Sequence, residues 1–238
     1  MKKTLFSMAL LPLFAGAAMS EDLNYTVNND TDTKGSIFVG GKLSADESVA
    51  YQTVNVNISG GTISAGDGEN LYWKDGIYAG ASEFGNENTS FTADKVSINM
   101  TGGDINNIIA GSFSTEKGST SIGSTEITIS GGLVRNSVLG GSILTYNNAT
   151  NMGYATSHVG SSKITISGDA VIGESVSSAK DKSENNDVIF NSVYGGGYTV
   201  GSGTQTFGST SVSIGGNAIV NGIVIGGSHA GPTGTAYV

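Results

Sequence analysis

Apolar and small polar residues alternate strictly along five stretches of the chain, and each stretch ends at glycine. They read Val54-Asn55-Val56-Asn57-Ile58-Ser59-Gly60-Gly61, Val96-Ser97-Ile98-Asn99-Met100-Thr101-Gly102-Gly103, Ile127-Thr128-Ile129-Ser130-Gly131-Gly132, Ile164-Thr165-Ile166-Ser167-Gly168-Asp169 and Val212-Ser213-Ile214-Gly215-Gly216-Asn217. Period-two alternation of β-branched and small polar residues predicts half-buried strands. The glycines after them supply a corner with positive φ.

A second phrase recurs six times: two bulky apolar residues, one small or apolar residue, then glycine. Its copies begin at Ile37, Ile77, Ile108, Val138, Val193 and Ile223. Their fourth-position glycines (Gly40, Gly80, Gly111, Gly141, Gly196 and Gly226) are spaced by 40, 31, 30, 55 and 30 residues. A third column precedes the first in three copies, as Ile122-Gly123-Ser124-Thr125, Val159-Gly160-Ser161-Ser162 and Phe207-Gly208-Ser209-Thr210. A period near 30 means stacked units, each too small to bury its own apolar face.

Three short strands per unit, with corners between them and no helical periodicity, predict an all-β fold: a parallel β-helix of about six rungs. A β-sandwich or an antiparallel meander also uses short strands, but neither needs the same column order six times. Rungs stack about 4.8 Å apart. One internal ladder is expected from Val56, Ile98, Ile127, Ile164 and Val212, and another from Ile37, Ile77, Ile108, Val138, Val193 and Ile223. Both apolar residues of the six-fold phrase are expected to stack into the core, its glycine turning the chain.

The outward residues of the alternating column are hydroxyls and amides, among them Asn57, Asn99, Thr128 and Thr165. They read either as a solvated sheet face or as a regular contact face for a repetitive partner, a glycan or an ice lattice. Insertions lie between the columns: Asp67 to Asp75, with Tyr72 beside the single tryptophan Trp73; the Asn-rich Tyr146 to Tyr154; and Gly173 to Asn191, with a highly charged centre. Insertions in repeat proteins commonly carry binding. A Trp-Tyr pair either stacks on a sugar ring or covers the side of the core.

Composition supports a thin core shared between neighbours. Of 238 residues 37 are glycine, and the hydrophobic share is only 37%. Residues 1–20 read as a signal peptide, with Lys2 and Lys3, an apolar stretch from Leu5 to Ala18, and the small residues Ala18 and Ser20 at a cleavage site. Residues 21–53 then form an N-terminal cap and first rung, and residues 54–238 the β-helix repeats. An exported chain with no cysteine draws its stability from packing and backbone pairing. Its 20 acidic residues against 11 basic ones, with no basic patch, exclude nucleic acid as a partner.

No catalytic constellation is legible. Arg135, the single arginine, has no acid cluster in its own unit, and His158 and His229 have no motif partners. No serine elbow, phosphate loop or dinucleotide fingerprint occurs. Asp30-Thr31-Asp32-Thr33-Lys34-Gly35 begins like a calcium loop, but Lys34 replaces an oxygen ligand and Gly41 stands where the bidentate glutamate belongs. No cofactor, no metal and no enzymatic activity are expected.

With its signal peptide, its lack of cysteine and its repeated Ile-Thr-Ile-Ser-Gly-Gly and Val-Tyr-Gly-Gly-Gly phrases, the stretch 21–238 resembles the passenger region of Gram-negative autotransporters, adhesin-like proteins of type V secretion. The resemblance implies a right-handed β-helix displayed on the outer membrane, exported through a C-terminal β-barrel and contacting host or bacterial surface glycans or proteins. No barrel strands follow within these residues, so the chain is expected to be the N-terminal part of a longer protein. The alternative is a secreted polysaccharide lyase or hydrolase on the same fold, which requires at least two carboxylates converging in a groove.

Overall fold

In a computed structural model of the protein, the described residues are 22–65, 75–83, 89–114, 117–145, 155–173, 191–199, 203–230 and 235–237. They are all-β, with no helix, and every strand pairing is parallel. Tyr72 and Trp73, together with the centres of the insertions after Tyr146 and Gly173, lie outside the described residues.

Three sheets collect the strands. The largest has eleven, led by Leu23–Val27, Ser48–Ser64, Ser90–Ile105, Ser119–Ile129, Thr156–Ile166 and Thr204–Ile214. The second holds six two-residue strands: Ile37–Phe38, Ile77–Tyr78, Ile108–Ile109, Val138–Leu139, Val193–Tyr194 and Val224–Ile225. The third holds six more: Lys42–Leu43, Ser82–Glu83, Phe113–Ser114, Ile143–Leu144, Tyr198–Thr199 and His229–Ala230. The chain visits the sheets in the same order on each of six passes, so each strand lies beside its equivalent from the next pass.

The first predicted ladder stands in register: Val56, Ile98, Ile127 and Ile164 are buried within one apolar cluster, and Val212 packs against it. Ile58, Met100, Ile129 and Ile166 form a second buried row two residues further on. The glycines that close the alternating columns do adopt positive φ, at Gly61, Gly103, Gly132, Gly168 and Gly216.

Three expectations are corrected. The third column is not a separate strand: Ser119–Ile129, Thr156–Ile166 and Thr204–Ile214 each run continuously through it. Stacked glycines allow this continuity. A Cβ on Gly160 would lie 2.4 Å from the Gly123 carbonyl oxygen, and one on Gly208 would lie 2.4 Å from that of Gly160.

The six-fold phrase also divides between two faces. Ile77, Ile108, Val138 and Val193 enter the main core, whereas Tyr78, Ile109, Leu139 and Tyr194 join a separate cluster with Phe113, Ile143 and Tyr198. Successive residues of a strand point to opposite faces, so an adjacent pair cannot share one. Tyr78 packs 4.8 Å from Phe38 and edge-on to Phe113 at 5.8 Å between ring centroids. Burial, with Asp75 adding to it, pushes the Tyr78 hydroxyl well above its ordinary pKa, and burial raises that of Tyr194.

The sixth copy is set one residue late. Val193 pairs with Val224 and Tyr194 with Ile225, so Val224 rather than Ile223 ends the ladder. The frame follows the glycines: Gly226-Gly227-Ser228 stands where Gly140-Gly141-Ser142 stands two passes earlier. The glycines of the phrase lie in the bend or turn after each short strand, as expected, without positive φ, and they also permit a close approach between passes. A Cβ on Gly111 would meet the carbonyl carbon of Gly141 at 2.7 Å, and one on Gly195 would meet the Gly226 oxygen at 2.1 Å.

Several of the polar side chains inside the stack are tied across passes, which offsets the cost of burying them. The Asn136 amide donates to the Asn106 side-chain oxygen at 2.6 Å, and Asn106 and Asn107 both donate to the Asp75 carbonyl. Gln205, fully buried, donates to the carbonyls of Ser142 and Tyr198 at 2.9 and 2.8 Å.

Candidate functional site

The outward residues of the long sheet form continuous columns, because the parallel register holds from one pass to the next. Thr26, Asn57, Asn99, Thr128, Thr165 and Ser213 are successive partners in one column. Four of these six are the residues singled out from sequence, and the fold brings all four together. Asn57 and Asn99 are exposed, Thr128 and Thr165 half-buried. At the strand spacing of about 4.8 Å, the six side chains cover roughly 24 Å of the sheet. None carries a charge, so the column offers only donors and acceptors of neutral hydrogen bonds.

Two residues towards the N-terminus, the neighbouring column runs Asn24, Asn55, Ser97, Glu126, Lys163 and Ser211. At its start the Asn55 amide donates to the Asn24 side-chain oxygen at 3.1 Å. At its centre the Glu126 carboxylate accepts from Lys95 at 3.2 Å and from Lys163 at 3.4 Å. The hydrogen bond and charge of Lys95, reinforced by Lys163, hold the Glu126 carboxyl below its usual range. This trio was not anticipated. Its signal is the register itself, which sets Lys163 directly beside Glu126, and no single repeat contains it.

Because the folded pKa of Glu126 is depressed, its contribution to stability is present above the unfolded value, about 4.3, and is lost as pH falls through the folded one. The side chain is 38% exposed, so solvent screening keeps the effect small. Thermal midpoints of the wild-type chain and Glu126→Gln should therefore differ slightly near pH 6 and converge as acidification protonates the folded-state carboxylate. A gap that widens on acidification contradicts the assignment.

The remaining chemistry-bearing residues are dispersed. Arg135 pairs with Asp104, which lies 31 residues back and therefore on the preceding pass. His158 stands exposed on its strand and shares a 2.8 Å hydrogen bond with Thr206 Oγ1. His229 lies stacked on Tyr198 with centroids 5.4 Å apart and rings nearly parallel. Both histidines sit on strands. Among the described residues, no three His, Asp or Glu side chains gather as a metal site would require.

No family model, curated protein or solved structure matches the chain.

Proposed function

We propose that the chain is an exported passenger of the autotransporter type, a right-handed parallel β-helix held at the outer-membrane surface. It acts there in adhesion, without catalysis, as a rigid body that contacts surface glycans or proteins. A C-terminal β-barrel outside this sequence provides its route and its anchor. The observation that carries this reading is the uncharged column from Thr26 to Ser213, six residues in register on an exposed sheet face. The basic and apolar start of the chain supports export.

Neutral hydroxyls and amides at a fixed spacing suit a partner that repeats its own hydroxyls, and they leave ionic partners without a counter-charge. Each such hydrogen bond contributes about 1 kcal/mol net, so affinity has to come from several engaged at once. The test exposes the purified chain to immobilised surface polysaccharides and matrix proteins while free sugar ends are assayed. Saturable binding with no release of oligosaccharide is expected. Release of oligosaccharide would establish the lyase or hydrolase alternative, and the absence of any binding would reduce this stretch to a stalk.

A further inference from the structure

The interior of the stack differs between its two sides. Where the second sheet faces the later half of the long strands, the packing is aliphatic: Ile77, Ile108 and Val138 share one cluster with Ile98, Ile127 and Ile164. The third sheet faces the earlier half, and there the packing changes along the stack. One inward row of the long strands runs Val49, Phe91, Thr120, Ser157 and Gln205, and another runs Val54, Val96, Thr125, Ser162 and Thr210. Each turns from apolar to hydroxyl or amide at its third member. The third sheet turns with them. Leu43 belongs to the main apolar cluster, whereas Ser114, Leu144 and Thr199, later in the same row, are buried outside it.

From that point on, the joint between the two sheets is held by polar contacts. Ser142 Oγ and Ser157 Oγ lie 3.0 Å apart, Thr125 donates to the Gly140 carbonyl at 2.8 Å, and Gln205 donates to Thr199 Oγ1 at 2.8 Å. Two more buried hydroxyls, Ser114 Oγ on the third sheet and Ser162 Oγ on the long sheet, have no hydrogen-bond partner among the described residues. Groups of this kind regain their bonds when water reaches them.

We propose that this joint is a seam along which the stack opens to water while the aliphatic joint stays closed. Opening here gives up little apolar burial and rehydrates Ser114 and Ser162, whereas opening the other side would expose the isoleucine ladder. On its outer face the third sheet stays tied to the second through Phe113, Ile143 and Tyr198, so the seam swings open rather than releasing the sheet. The third-sheet strands are only two residues long, and with one face unpacked their ladder frays and their amides become exchangeable. This opening is independent of the adhesion reading.

Native-state hydrogen exchange of the purified chain, read amide by amide by NMR, tests the seam. Ile143 and Tyr198 in the third sheet, and Ile108 and Val138 in the second, all donate between passes at 2.9 or 3.0 Å, so bond length does not separate them. After correction for intrinsic rates, the third-sheet pair should exchange roughly tenfold or more faster than the second-sheet pair. Ser162→Ala deletes an orphaned hydroxyl and should slow the third-sheet pair about tenfold. Equal or greater protection of the third sheet overturns the proposal. Faster exchange in Ser162→Ala overturns it too, because the hydroxyl would then be bonded in the closed stack.

Discussion

Gly111→Val should abolish stable folding or lower the unfolding free energy by roughly 3 kcal/mol or more, since overpacking here presses on backbone as well as side chain. A Cβ at this position would stand 2.3 Å from Ser142 Oγ and 2.7 Å from both the Gly141 carbonyl carbon and the Ser142 nitrogen. The serine hydroxyl can rotate away only by giving up its hydrogen bonds with the Ser112 N–H and Ser157 Oγ, at 3.1 and 3.0 Å. The Gly141–Ser142 backbone cannot, because Gly141 is itself bonded to the next pass through the Gly196 carbonyl at 2.9 Å. Relief at one corner would have to spread along the stack.

Two control substitutions separate this cause from simple turning of the chain. Gly41 has a φ of 93° but no atom within 4 Å of its Cβ position, so Gly41→Ala should cost only the left-handed penalty of about 1–2 kcal/mol. Gly226 has neither constraint, and Gly226→Ala should fall within about 0.5 kcal/mol of wild type. Denaturant midpoints should rank the variants in that order, and equal effects would mean that inter-pass distance is not what these glycines protect.

The second large effect belongs to the ladder. Ile127 has no exposed surface and lies between Ile98 and Ile164 on the neighbouring passes. Ile127→Ala should destabilise by about 2–5 kcal/mol through lost burial and the cavity left behind. Thr128→Ala, one residue later on the opposite face, should change stability by no more than about 0.5 kcal/mol. A one-residue error in register exchanges the two faces of a strand. Chemical denaturation of this pair therefore reads the register directly, and a reversed order would place the hydroxyl column inside.

The alternating columns were legible because period two is a local property: five residues of Ile-Thr-Ile-Ser-Gly state both the strand and its buried face. The six-fold phrase was legible as a repeat but not as a geometry. The extra apolar residue Ile223 drew its last copy one position early, and only pairing with Val193–Tyr194 fixes the frame. That Tyr78 and Ile77 part company follows from strand geometry, yet the apolar cluster that receives Tyr78 is built from Phe113 and Leu139 on other passes. The Glu126 trio and the Arg135–Asp104 pair are invisible within any one repeat for the same reason. Each partner lies on a neighbouring pass, about 31 residues away or, across an insertion, 37. The column from Asn57 to Thr165 was readable in composition and position, whereas Tyr72 and Trp73 stand outside the described residues.

The central claim is that the uncharged column on the long sheet is the face that meets a partner. It is tested most directly by comparing surface binding of the wild-type chain with that of Asn99→Lys/Thr128→Lys/Thr165→Lys. These side chains are exposed or half-buried, so the stack should survive. Loss of three neutral hydrogen bonds of about 1 kcal/mol each predicts affinity reduced on the order of a hundredfold. An affinity unchanged in a folded variant would contradict the claim and move the contact elsewhere on the chain.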